Sequence, residues 1–229
     1  LNLIGKVQLK NVLMAIIASI KSNISIKDIF SVLLKIKSVN GRFEKIGKIK
    51  NNSKVILDYA HTPDALKTCL KNLKEQFSAH KVSLVFGCGG NRDKNKRAKM
   101  GKIADLYSDK IYLTDDNPRL EQPDKIRKDI KKGIKKQKIS EFPRRSKAIS
   151  EAIKDLNTGE ILLVAGKGHE TIQEIGKKKI FSSDKKIILN AIKKKNLTLS
   201  KNLKANIINE LSGEKKISHK TFLKHGRIN

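Results

Sequence analysis

The amino-acid sequence predicts an α/β fold: a mainly parallel β-sheet with helices on both faces. Short apolar runs alternate along the chain with segments whose apolar residues recur at helical spacing. The runs are almost continuously apolar, which is typical of strands that are buried on both faces of a sheet. Four of them end in a polar or glycine-rich loop, and open α/β sheets bind ligands beyond the carboxyl ends of their strands.

Two helices are predicted before the sheet. Apolar positions at helical spacing indicate the first within residues 1–21, and the second covers about residues 26–36. Neither helix has a core of its own, so we expect both to pack against a segment that precedes Leu1 in a longer protein. The predicted organisation is a partial helical domain (1–39), an α/β domain (40–195) and a linker or tail (196–229).

Caps, turns and apolar runs define the elements of the α/β domain. Thr62 can cap a helix that has Pro63 at its first position, and Ser146 is the expected cap of a later helix. Beyond residue 196 the pattern weakens, and we expect a linker with a short helix near residues 203–211. Strands are predicted at 43–50, 55–57, 82–86, 111–114, 139–142, 161–165 and 178–181, and helices at about 63–77, 97–107, 122–136, 146–156 and 184–195.

The net charge of +29 is the most conspicuous feature of the composition. A charge of this size would suit a nucleic-acid-binding protein. However, only 8 of the 51 basic residues are arginine and aromatic residues make up 4% of the chain, whereas nucleic-acid recognition favours arginine and stacking aromatics. We therefore favour a generally lysine-rich composition without a specific nucleic-acid partner, and keep a basic nucleic-acid-binding α/β module as the alternative.

The sequence also carries expectations about location and metals. No secretory signal is visible, and the most apolar stretch, residues 12–20, is about half as long as a membrane span. Two cysteines, Cys69 and Cys88, are too few for a disulfide framework or a metal cluster. We expect a cytoplasmic protein without membrane insertion and without a metal site in this chain.

Two strand-end loops carry groups that suit a nucleotide or another anion. Residues 58–64 (DYAHTPD) place Asp58 and His61 beside a helix N-terminus, which attracts anions, and the carboxylate could accept hydrogen bonds from ribose hydroxyls. A capped helix with an incidental histidine explains the same residues equally well. Residues 87–90 (GCGG) match neither common phosphate-binding glycine motif, but Arg92 beside them could clamp a carboxylate or a phosphate.

Two further loops carry groups that suit a zwitterion. Residues 115–119 (DDNPR) offer carboxylates for an ammonium group and a guanidinium for a carboxylate. An Asx-Pro turn before a helix is the simpler alternative, and we favour the binding interpretation. Residues 166–170 (GKGHE) follow the most apolar strand, where glycines allow a ligand to approach the backbone and Glu170 could bind an ammonium group.

Taken together, these motifs resemble the C-terminal domain of the Mur ligase family, in order and in spacing, over about residues 1–190. The resemblance implies a Rossmann-like fold and an ATP-dependent amide ligase of peptidoglycan synthesis. Such an enzyme activates the carboxylate of UDP-MurNAc-L-Ala-D-Glu as an acyl phosphate, which the amine of an amino acid then attacks. The resemblance rests on residues 58–64 (DYAHTPD), 86–93 (FGCGGNRD), 96–101 (KRAKMG), 116–119 (DNPR) and 165–170 (AGKGHE).

The resemblance also implies roles for individual residues. Arg119 points to meso-diaminopimelate as the added amino acid, because the family's lysine-adding members typically lack this arginine and lysine has no second carboxylate. Arg42, Asp58 and His61 correspond to positions on the nucleotide side of the family's site. The residues implied in meso-diaminopimelate binding are Arg92, Asp116, Asn117, Pro118, Arg119, Gly166 and Glu170.

The chain also departs from the family pattern. It contains no G-x-x-x-x-G-K-[ST] sequence, and residues 1–39 resemble only the last helices of the family's central domain. The resemblance places ATP and Mg²⁺ mainly on that central domain, so we expect no catalytic residue here and no ligation by this chain alone. Its expected partners are the N-terminal and central domains, UDP-MurNAc-dipeptide and meso-diaminopimelate.

The tail has two interpretations. Residues 197–229 could be a disordered basic extension. Alternatively, they resemble the lead-in to the N-terminal domain of another Mur ligase, and we hypothesise a fusion with the next ligase of the pathway. Under the second interpretation the tail should pack poorly on the domain before it, because its own partner domain follows it.

Overall fold

A computed structural model describes residue 3, residues 5–135 and residues 139–225, with side chains described up to residue 207. Seven helices and eight strands lie in these ranges. The helices are α1 (Lys6–Lys21), α2 (Ile26–Leu33), α3 (Pro63–Gln76), α4 (Asn95–Tyr107), α5 (Pro123–Lys131), α6 (Arg145–Asp155) and α7 (Asp184–His225). The strands are β1 (Glu44–Lys45), β2 (Lys54–Asp58), β3 (Val82–Phe86), β4 (Lys110–Thr114), β5 (Ile139–Phe142), β6 (Ile161–Ala165), β7 (Ile172–Ile175) and β8 (Lys178–Phe181).

Six strands form one sheet in the order β1-β2-β6-β3-β4-β5. Every neighbouring pair is parallel except β1 and β2, which confirms the predicted mainly parallel sheet. The carboxyl ends of β2, β6, β3 and β4 are in register: Asp58 lies opposite Ala165, and Phe86 lies opposite Leu113. The four loops that carry the predicted motifs therefore leave the sheet at one edge.

Helices cover both faces of the sheet, as predicted. Successive residues of a strand point to opposite faces, so Leu84 of β3 joins the core under α3, α4 and α5, whereas Val85 joins the core under α6 and α7. Both cores consist mainly of Leu, Ile, Val and Ala, and all five residues of β3 and of β6 are buried. The two packed faces fix the positions from which the strand-end loops emerge.

Helices α1 and α2 expose most of their apolar residues. Ile29 is the one buried residue of these two helices, whereas Leu13, Met14 and Phe30 are more than half exposed. Polar contacts hold α1 to the domain, among them a hydrogen bond from Gln8 Nε2 to the Arg42 carbonyl (2.9 Å). The described residues leave most of the apolar surface of these two helices exposed.

Several predicted elements differ from the structure in their bounds, caps or pairing. Strand β1 is shorter than predicted, because Phe43 (φ 48°) and Gly47 (φ 66°) leave the extended conformation on either side of it. Ser146 lies inside α6, and Arg144 occupies the N-cap without a side-chain bond. Helix α5 ends at Lys131, short of the predicted 136, and residues 136–138 lie outside the described residues. Strand β8 pairs with β7 in a separate two-stranded sheet and is not part of the main sheet. Strand β7 itself was not predicted from the sequence.

Helix α7 is much longer than predicted. It runs unbroken from Asp184 to His225, through the expected linker and the expected short helix near residues 203–211. Between residues 184 and 212 the sequence has neither Gly nor Pro, so nothing in the local sequence ends the helix. Its next turns still contact the domain, since Leu199 packs on the core and Asn196 Nδ2 donates to the Lys48 carbonyl (2.9 Å). Residues 201–207 are exposed.

Candidate functional site at the carboxyl edge of the sheet

The loops after β3 and β4 pack backbone to backbone. Gly90 N donates to the Asn117 carbonyl (2.8 Å), and a Cβ at Gly90 would lie 1.9 Å from the Pro118 carbonyl oxygen. Any side chain at this position would therefore push the two loops apart. The glycine-rich turn thus allows the backbone of the DNPR loop, residues 116–119, to pack directly against it.

The DNPR loop also meets the loop after β6. Asp116 and Asn117 are buried, with 8% and 7% of their surface exposed. A Cβ at Gly166, which has φ 114°, would lie 2.8 Å from Asp116 Oδ2. A glycine at 166 thus allows the Asp116 carboxylate to reach the backbone of the GKGHE loop, residues 166–170.

Lys167 connects the two loops at the centre of the site. Its side chain is fully buried, and its ammonium donates to Asn117 Oδ1 (3.1 Å), Glu170 Oε2 (3.1 Å) and the Ile172 carbonyl (2.6 Å). With Asn117 Oδ1 occupied in this way, Asn117 Nδ2 faces Glu170 Oε2 at 3.4 Å. A buried ammonium needs such partners, and here they fix the orientation of two predicted ligand-binding side chains.

Tyr59 brings the loop after β2 into the same cluster. Its hydroxyl donates to Glu170 Oε1 (3.2 Å), and burial, followed by the Glu170 charge, raises the pKa of Tyr59. The Arg42 guanidinium lies 4.6 Å from the centre of the Tyr59 ring. The rings of His61 and His169 lie beside the same tyrosine, at centroid distances of 4.7 and 5.5 Å.

The Asp58 carboxylate is occupied by protein groups. It accepts hydrogen bonds from Phe43 N and Ala60 N, both 2.7 Å long, and from the Cys69 thiol (3.3 Å). With 8% of its surface exposed, Asp58 holds the two backbone segments that present Arg42 and Tyr59. His61 is exposed, and its Nδ1 lies 2.9 Å from the Tyr59 carbonyl oxygen.

Two arginines supply positive charge at this edge. Arg119 forms an ion pair with Glu174 (Nε to Oε2, 2.7 Å) and donates from NH1 to the Gly90 carbonyl (3.0 Å). Arg92 is exposed, and among the described residues it forms no ion pair. A bound anion could therefore pair with Arg92 without displacing a carboxylate.

The site thus unites most of the predicted residues. Asp116, Asn117, Pro118, Arg119, Gly166 and Glu170 contact one another directly or through Lys167 and Gly90, and Tyr59 links Arg42 and His61 to them. Four residues of the cluster were not predicted: Lys167, His169, Tyr59 and Glu174. The first three lie inside the GKGHE and DYAHTPD motifs, which was a usable signal, whereas nothing in the sequence marked Glu174.

The chemistry of these groups suits binding of a zwitterion. Asp116 and Glu170 supply carboxylates and Arg119 supplies a guanidinium in loops at the same edge of the sheet, so this edge offers partners for both ammonium and carboxylate groups. Cys88 is no candidate nucleophile, since burial raises its pKa to about 12. Across the described ranges, no three His, Cys, Asp or Glu side chains are grouped as a metal site, and no helix is long and apolar enough to cross a membrane.

Comparison with known proteins links this chain to one family. Residues 41–168 match the family model described as Mur ligase, glutamate ligase domain. Two curated relatives carry the name UDP-N-acetylmuramoyl-L-alanyl-D-glutamate--2,6-diaminopimelate ligase. The one from Rickettsia rickettsii is 44% identical over 192 residues, and the one from Buchnera aphidicola subsp. Baizongia pistaciae is 46% identical over 195 residues. The alignments cover 83% and 85% of this chain but only 39% and 38% of the relatives.

Solved structures give the same result. A structure titled as a UDP-N-acetylmuramoyl-L-alanyl-D-glutamate--2,6-diaminopimelate ligase superposes with a TM-score of 0.67 at 35% identity, covering 83% of this chain and 39% of that one. A Thermotoga maritima MurF ligase in complex with ADP is 19% identical, with a TM-score of 0.55, over 86% of this chain and 40% of that one. The MurF likeness concerns the fold alone.

Proposed function

Because this chain belongs to the Mur ligase family, we propose that it carries the amino-acid-binding domain of an ATP-dependent ligase of peptidoglycan synthesis. In this proposal the ligase acts in the cytoplasm and adds meso-diaminopimelate to UDP-MurNAc-L-Ala-D-Glu. Residues 40–195 are the C-terminal domain and residues 1–39 are the end of the central domain. The chain spans about 39% of the length of the relatives that it matches, and the rest of the ligase would supply the P-loop.

The observation that carries the proposal is the cluster of oppositely charged side chains at the carboxyl edge of the sheet. Glu170 and Asp116 suit the ammonium group of an amino acid, whereas Arg119, Arg92 and Asn117 Nδ2 suit carboxylates. Meso-diaminopimelate carries an ammonium and a carboxylate at each end. Lysine lacks the second carboxylate and would leave one guanidinium of the site without a ligand carboxylate.

In the proposed reaction, this chain orients the nucleophile. The activated γ-carboxyl of the dipeptide is an acyl phosphate, and ATP supplies its phosphoryl group. The amine of diaminopimelate attacks the carbonyl carbon, the carbon–oxygen bond to phosphate breaks, and the amine loses a proton as the amide forms. Glu170 and Asp116 hold the amino-acid head group close to the reacting carbon, which lowers the entropic cost of the attack.

The nucleotide side of the site also fits the proposal. Arg42 is exposed over the partly exposed Tyr59 ring, and purines stack on guanidinium and aromatic planes. A cavity of about 390 Å³ is lined by Arg42, Phe43 and Asp58. We propose that Arg42 and His61 contact the nucleotide and that Asp58 acts by holding their loops, since its oxygens already accept backbone amides. Mg²⁺ would be held mainly by the central domain.

Binding of free amino acids to this chain tests the proposal. Isothermal titration should detect meso-diaminopimelate binding that is tighter than L-lysine binding. Arg119→Ala should weaken diaminopimelate binding by about 2 kcal/mol, roughly thirtyfold, because the second carboxylate loses its partner. Lys81→Ala is a matched control, as it removes one positive charge from an exposed position just before β3, at the opposite edge of the sheet. Equal affinities of the parent chain and the Arg119 variant would contradict the assignment of Arg119.

A further inference from the structure

The β7–β8 hairpin lies against the DNPR loop, and we infer that it positions this loop, with Glu174 as the residue that orients the Arg119 guanidinium. The inference rests on the proposed function, because it assigns a determinant of the preference for an amino acid with a second carboxylate. Neither β7 nor Glu174 belongs to any motif of the sequence.

The backbone of β7 is joined to the DNPR loop at several points. Arg119 adopts φ 50°, a conformation that a side chain disfavours, and its N–H donates to the Glu174 carbonyl (3.0 Å). Gly176 N donates to the Arg119 carbonyl (2.7 Å). Gln173 Nε2 donates to the Asp116 carbonyl (2.6 Å), and Glu174 N donates to Asn117 Oδ1 (3.1 Å). The hairpin therefore fixes the unusual backbone from which Arg119 projects.

The side chain of Glu174 then fixes the guanidinium itself. Its Oε2 lies 2.7 Å from Arg119 Nε, and the Gly90 carbonyl accepts from NH1 on the other side (3.0 Å). Among the described residues, Glu174 is the one carboxylate that pairs with Arg119. The two side chains are 24% and 32% exposed, so the pair lies at the rim of the site, within reach of a ligand.

Two opposing effects follow from this pair, and their sizes differ. The Glu174 charge lowers the attraction of Arg119 for an incoming carboxylate. Because the pair is partly exposed, water and salt screen this electrostatic effect. Orientation counts for more, because a mobile arginine must be immobilised when the ligand binds. Loss of Glu174 should therefore weaken binding of a ligand that uses Arg119 and leave other ligands unaffected.

The test compares Glu174→Ala with Lys179→Ala in the 229-residue chain. Lys179 lies opposite Glu174 in the hairpin, so it is a control for changes to the hairpin itself. By isothermal titration, Glu174→Ala should bind meso-diaminopimelate about three- to tenfold more weakly and L-lysine equally well. Lys179→Ala should match the parent chain for both ligands.

A ligand-free measurement keeps the two hypotheses separate. The Arg119 Nε–H signal in ¹⁵N NMR should be protected from exchange in the parent chain and in Lys179→Ala, and lose that protection in Glu174→Ala. An unchanged signal in Glu174→Ala overturns the positioning role. If Arg119→Ala loses diaminopimelate binding and Glu174→Ala does not, the inference fails while the proposed function stands. A parent chain that does not prefer diaminopimelate over lysine overturns the proposed function, and with it the specificity role of Glu174.

Discussion

At the residue scale, Glu121 shows how a carboxylate outside the ligand cluster supports it. Its Oε1 accepts from Asn91 N, and both oxygens accept from Arg97 NH2, at 3.0 and 2.9 Å. Arg97 is almost fully buried and also pairs with Asp129 (3.2 Å). Glu121 therefore ties the loop after β3, which presents Arg92, to the segment after the DNPR loop.

The pKa of Glu121 gives a pH prediction. Burial alone would raise this pKa, but the Asn91 amide and the Arg97 guanidinium outweigh burial and lower it. A carboxylate with a lowered pKa in the folded state stabilises the fold above its unfolded pKa, and this contribution is lost as the pH falls through the folded pKa. The urea midpoint should therefore fall as the pH is lowered below about 4.5, and Glu121→Gln should show a smaller fall. An equal fall in both proteins would contradict this contribution.

At the element scale, the length of α7 changes the description of the domain. Residues 196–200 are helical and form hydrogen bonds with the segment between β1 and β2. Lys50 N donates to Asn196 Oδ1 (2.9 Å), and Lys50 Nζ donates to Ser200 Oγ. Residues 201–207, which continue the helix, are exposed. The packed part of the helix thus extends beyond the expected boundary at residue 195.

Two leucines one turn apart test this boundary. Leu199 packs against the core under α6 and α7, whereas Leu203 is 62% exposed. Leu199→Ala should lower the free energy of unfolding by about 1–2 kcal/mol, less than a fully buried leucine would, and Leu203→Ala by less than about 0.5 kcal/mol. Both are Leu→Ala changes in the same helix, so helix propensity cancels in the comparison. Equal values in urea unfolding would show that residue 199 does not belong to the folded domain.

For the molecule as a whole, the net charge of +29 raises the question of nucleic-acid binding. The lysines are scattered along the chain, whereas a specific nucleic-acid site needs base contacts in addition to phosphate contacts. Binding to random duplex DNA should therefore be weak and should disappear with salt, because counterion release drives it. Fluorescence anisotropy at increasing salt would check this. A sequence-preferring complex that survives ~0.2 M salt would instead support the nucleic-acid alternative.

The α/β sheet, its covered faces and the edge from which the motif loops leave it all follow from local patterns in the sequence. Apolar runs such as residues 82–86 and 161–165 are local patterns, and parallel pairing brings their carboxyl ends to one edge whatever the remaining details. The strand-end rule predicted that the motif loops share this edge. The family resemblance named their ligand-binding residues: Arg92, Asp116, Asn117, Pro118, Arg119, Gly166 and Glu170.

The groups that support these residues are visible only in the folded molecule. The Lys167–Asn117 bond joins positions 50 residues apart, and the β7–β8 hairpin meets a loop more than 50 residues before it. Likewise, the Asp58 carboxylate accepts a hydrogen bond from Phe43 N, and α7 packs on the core as far as Leu199, beyond the helix end predicted from the sequence. Contacts of this kind depend on how distant segments of the chain pack together. Apolar periodicity and capping residues are local patterns and do not predict such long-range contacts.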